Sequence, residues 1–115
     1  MLPTLRHRPI HGLLHTLPAL ALGLDGRPDY SLTHPAVLRD LAEHAEDCMR
    51  LAQAGMRGIG ALLVHAAPEA DVGGVPGEVI ESLGHLLAEL GELAAEGMVM
   101  AAACRAQLAA GDAGA

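Results

Sequence analysis

A seven-residue repeat of apolar side chains runs twice through this 115-residue chain, and it constrains the fold more than any other feature. In the first pass Leu38, Ala45, Ala52, Ile59 and Ala66 form one row. Leu41, Cys48, Gly55 and Leu62 form a second, and Ala42, Met49, Met56 and Leu63 a third. Every position is apolar or glycine. This period belongs to an α-helix with one buried stripe, because a half-buried strand would alternate every two residues. The second pass has Ile80, Leu87, Ala94, Ala101 and Leu108 in one row and Leu83, Leu90, Gly97 and Cys104 in the next, flanked by Val79, Leu86, Leu93 and Met100. The spacing predicts an all-α protein built on a long antiparallel helical hairpin at 33–110, with helices at about 34–66 and 76–110.

The ends of those helices carry their own signals. Thr33 is placed to cap the first, with Pro35 in the opening turn, where a missing N–H costs nothing. Pro68 reads as its stop. Gly73 and Gly74 centre the loop, Pro76 opens the second helix, and Glu78 and Glu81 suit the positive end of its dipole. Gly111 is expected to end it, leaving 111–115 as a disordered tail. Folding about Asp71 sets Gly55 against Leu87, Ala52 against Leu90, Leu41 against Ala101 and Leu38 against Cys104, large facing small each time.

Residues 1–32 read as an irregular or partly helical arm, broken by Pro3, Pro9, Pro18 and Pro28 and by turns at Asp25-Gly26 and Pro28-Asp29. A short helix is predicted over His11 to Leu17. Leu13, Leu14, Leu17, Leu20, Leu22 and Leu24 are too apolar for a free tail, so the arm is expected to pack on the hairpin or on a second subunit.

Aromatic residues are 1% of the chain and hydrophobic residues 51%, so a core must be filled by Leu, Ala, Met, Val and Ile. Two helices side by side leave much of their apolar surface wet. The stretches 58–66 and 97–104 are apolar nearly all round, which asks for burial on more than one face. The expectation is a homodimer forming a four-helix bundle. Its partner interface is expected at Gly84, Gly91, Met98, Val99, Ala102 and Ala103, the two glycines allowing close backbone approach.

The net charge is −7, with every basic residue but the histidines an arginine and no lysine or asparagine. Glu89, Glu92 and Glu96 form an acidic ridge one face wide, read as a solvated surface. An acidic body excludes direct nucleic-acid binding, which needs a basic face, and leaves room for a basic protein partner. The bias toward Ala, Gly, Leu, Pro and Arg fits a GC-rich bacterial genome.

Cys48 and Cys104 have no CxxC spacing and occupy regular seam positions, where free cysteine acts as a small hydrophobe. His44 is one turn from Cys48, so a zinc or copper site with Cys104 can be drawn, but no fourth ligand accompanies it. His7, His11 and His15 recur every four residues without a carboxylate or thiol beside them. No metal, cofactor or catalytic residue is assigned. Reduced thiols fit a cytoplasmic protein. The N-terminal apolar stretch after Arg6 and Arg8 is interrupted by His11, His15 and Pro18, unlike a secretory signal. No uncharged run reaches the ~20 residues of a membrane span. These features describe a small acidic, non-enzymatic interaction or adaptor protein of a bacterium or its mobile elements. One alternative is an acidic inhibitor occupying the basic site of a nucleic-acid-handling protein, and another a thiol or metal sensor.

Overall fold

The computed structural model describes residues 8–71 and 73–114. The start of the arm, with His7, and the last residue of the expected tail lie outside the described residues. The described residues form three α-helices: α1 at Pro9–Thr16, α2 at Pro35–Asp71 and α3 at Gly77–Gly114. Short 3-10 turns at Leu17–Ala19 and Tyr30–Leu32 complete the regular structure of the arm. α2 and α3 pack against each other as the expected hairpin. Gly97 lies directly against the backbone of Ala45, and these residues are equally far from Asp71 along the chain, as the fold-back about Asp71 requires. Nearer the loop, Leu90 rather than Leu87 is the side chain that reaches Gly55.

The helix ends differ from the sequence expectation, for local reasons. Thr33 does not cap α2. Its hydroxyl donates to the Asp29 carbonyl at 2.9 Å and accepts from the Ala21 amide at 3.0 Å, and the residue is buried. The cap is His34, whose Nδ1 accepts the Ala36 amide at 3.1 Å. Thr33 instead ties the arm together at its junction with the hairpin. Pro68 does not stop α2, which continues to Asp71. Proline frees the carbonyl four residues earlier, here on the exposed Val64, where water can take it. The stop comes at Gly73, which has φ of +79°, with the Gly74 amide donating to the Glu69 carbonyl at 2.6 Å. That six-to-one bond with a left-handed glycine is the Schellman termination. At the other end, residues 111–114 are helical rather than a disordered tail, so Gly111 does not break α3.

The arm folds back along one face of the hairpin. After α1, Leu22 and Pro28 form an isolated antiparallel bridge around the turn at Asp25-Gly26. The Arg27 amide donates to Asp25 Oδ1 there. Leu13 and Leu20 of the arm join Leu38, Leu41, Ala42, Ala45, Cys48, Ala101 and Cys104 in a single core cluster, with Tyr30 packed at its edge. The expected short helix is thus real, begins two residues earlier than expected and supplies the third layer of the core. Its closest approach is at Gly12, which faces the His44 ring: any Cβ there would overlap the imidazole. A small residue at position 12 is the price of bringing α1 this near to α2.

The described part of the arm covers only half of the hairpin. From Leu38 to Ala52, and from Ala94 to Cys104, seam residues are buried. Beyond them the same heptad rows run on into a projecting pair of helices without the arm. Leu41 is wholly buried, whereas Leu62, three heptads on in the same row, is 69% exposed. The molecule is correspondingly long, 64 × 37 × 22 Å.

Candidate interaction surface

Among the described residues, apolar side chains of the arm and of both long helices stay open to solvent. One apolar face lies on the outer side of α3. Met98 is 56% and Val99 65% exposed; Ala102 is exposed and Ala103 half-buried. The arm packs elsewhere and leaves this patch bare. Glu92 and Glu96 stand one to two turns before it on the same helix, and they and Glu89 are exposed. The acidic ridge therefore adjoins the apolar patch instead of lying on a separate side. Gly84 and Gly91 of α3 have open space beside them, so close backbone approach among the described residues does not explain them.

A second face is the tip of the hairpin, where Leu62, Val79, Ile80 and Leu86 are exposed. A shallow groove of about 440 Å³ opens there between Glu78, Val79, Ser82, Leu83 and Leu86. A similar groove of about 430 Å³ opens where the arm begins, lined by Pro9, Ile10, Leu14 and Leu51 with Arg8 and His11 at its edge. A third lies between Ser31, Pro35, Leu38 and Leu108, with Arg39 and Asp112 on its rim.

The polar contacts of the hairpin hold it shut. Arg105 of α3 donates to both carboxylate oxygens of Glu46 on α2, at 2.9 Å from Nη2 and 3.3 Å from Nε. That hydrogen bond holds the Glu46 carboxyl below its ordinary range and raises the guanidinium further. The pair is partly exposed, so its worth is the few tenths of a kcal/mol to ~1 kcal/mol of a surface bridge. Arg50 pairs with Asp47 on the same helix.

The titratable groups singled out in the sequence are placed as follows. Cys48 and Cys104 are free and wholly buried in the core cluster. Burial pushes both thiols up from their usual value, Cys48 further by the neighbouring Asp47. His44 Nδ1 is buried beneath α1 with no hydrogen-bond partner among the described residues. No three histidine, cysteine or carboxylate side chains converge as a metal cage among the described residues. His11 and His15 do share one side of α1, their ring centres 4.3 Å apart and edge to face. Desolvation, Arg8 and His15 each lower the pKa of His11. No described helix is long and apolar enough to cross a membrane.

Buried thiols with raised pKa values react slowly, because the thiolate is the nucleophile. In native protein both cysteines are expected to resist a disulfide reagent at pH 8 and to react at once in denaturant. Cys48→Ser and Cys104→Ser should each lose about 1–2 kcal/mol through a hydroxyl placed in an apolar seam, with metal content and gross fold unchanged. One metal per chain in the parent, lost in both variants, would make these residues ligands.

Comparison with protein-family models, with curated proteins and with solved structures finds no match for this chain. The functional reading therefore rests on the surface itself.

Proposed function

We propose that this is a small acidic, non-enzymatic interaction protein of bacterial type, working as a homodimeric helical bundle that presents α3 to another protein. One observation carries the reading: the outer face of α3 sets exposed Met98, Val99 and Ala102 beside exposed Glu92 and Glu96. Soluble proteins rarely expose contiguous apolar surface without a use for it. An apolar centre with an acidic margin suits a partner whose own apolar patch is ringed by Arg or Lys. The half-length third layer favours self-association, since two helices alone leave the tip uncovered.

A pull-down from the native host with the intact chain tests the adaptor reading, with Val99→Glu as the comparison. A partner held by the parent, released by raised salt and lost from Val99→Glu is the expected result. Val99→Glu should leave helicity unchanged, because Val99 is already in water. Equal retention by both proteins would defeat the assignment of this face.

A further inference from the structure

We propose that the tip of the hairpin is the self-association face, and that two copies pack antiparallel, each tip lying along the other's tip and ending at the other's arm. This rests on the homodimer reading above and names the surface that makes it.

The heptad rows that the arm covers recur bare toward the loop: Leu41 and Cys48 are followed by Gly55 and Leu62, and Leu93 by Leu86 and Val79. The covered members are buried or partly so. Leu62, Val79 and Leu86 are exposed. Among the described residues, one continuous apolar face thus has its third layer supplied over one half and lacks it over the other.

The uncovered stretch of α2, residues 52–68, is about 25 Å long at 1.5 Å per residue. Two helices give it a width of about 20 Å. A footprint of roughly 500 Å² per copy, extended by Ile10, Leu14 and Leu51 at the arm's edge, approaches the ~800 Å² per partner of a stable interface.

Charge and length then choose the occupant and its direction. From residue 58 to 104 the sequence has no arginine, while the tip carries the exposed Glu78 and Glu81. Two tips packed in parallel would stack these carboxylates on their copies. With a two-fold axis across the middle of the bare stretch, each tip instead reaches the groove where α1 begins, beside Arg8. Glu78 of one copy then faces Arg8 of the other, and Leu62 and Ile80 meet their equivalents near the axis. The arm blocks the rest of the face, so the overlap stops where the uncovered half stops. Such an interface is closed and self-complementary.

Sedimentation velocity on the full chain over a concentration series tests this. The parent should approach dimer mass. Leu62→Glu should weaken the dimer about tenfold or more with an unchanged circular-dichroism spectrum, because Leu62 is exposed in each copy. Val99→Glu should remain dimeric. Arg8→Glu should weaken the dimer, and Arg8→Glu combined with Glu78→Arg and Glu81→Arg should recover it. A dimer broken by Val99→Glu and not by Leu62→Glu would overturn the tip face while leaving a homodimer in place. A parent that stays monomeric at every concentration would overturn the homodimer as well and give the tip to a different protein, with the pull-down result standing separately.

Discussion

Leu41→Ala is expected to destabilise the protein by about 3–4 kcal/mol, whereas Leu62→Ala should leave a dilute monomer nearly unchanged. The two leucines occupy the same heptad row of the same helix, so sequence alone gives them equal standing. The structure separates them. Leu41 is wholly buried among Leu13 and Leu20 of the arm and Ala101 and Cys104 of α3. Truncating it removes buried methyl groups and leaves a cavity that rigid helices cannot close. Leu62 is 69% exposed, so its truncation changes little that folding had buried. For a chain of this size the loss at Leu41 corresponds to roughly 10–20 °C in melting temperature. Thermal melts followed by circular dichroism, at protein concentrations below self-association, compare them. Equal costs at the two positions would mean that the tip is covered within the single chain and that the arm is not the source of the third layer.

That contrast also marks how much was legible in the sequence. The heptad fixes helix, hairpin and fold-back because all three depend on which side chains share a face, and periodicity records that directly. The Ala45 and Gly97 pairing follows from it. The arm's place does not, because α1 is only eight residues long and shows no repeat. Gly12 was the available signal: a glycine inside a short helix permits a close approach, and what approaches is the His44 ring. Thr33 misled for a related reason. Its type suits a cap, but the backbone of the arm offers its hydroxyl both a donor and an acceptor, leaving the cap to His34. Pro68 and Gly111 misled because both are breakers by propensity, yet near an exposed helix end water can take the carbonyl that proline frees and glycine costs only about 1 kcal/mol.

The candidate surface was legible in part. Met98, Val99 and Ala102 were singled out by apolar residues on a nominally outward side, and they are exposed. The tip face could not be found that way. Leu62, Ile80 and Leu86 belong to rows that look buried, and only the length of the arm decides that they are not.

The glycines of α3 give the second large contrast. Gly97→Val is expected to cost about 3 kcal/mol, while Gly91→Ala should stabilise by roughly 0.5–1 kcal/mol. A Cβ at position 97 would lie 2.8 Å from the Ala45 carbonyl oxygen and 3.8 Å from the Met49 Cβ. The nearer obstacle is backbone, so no rotamer change relieves it. The helices must part there, in the middle of the buried segment and next to Cys48 and Cys104, loosening contacts on both sides. Valine adds two further methyl groups to a space that does not admit the first. Position 91 has nothing within 4 Å of such a Cβ, so alanine there gains helix propensity without a clash. Urea denaturation at a fixed protein concentration reads both, and a tolerated valine at 97 would show that α2 and α3 do not approach at Ala45.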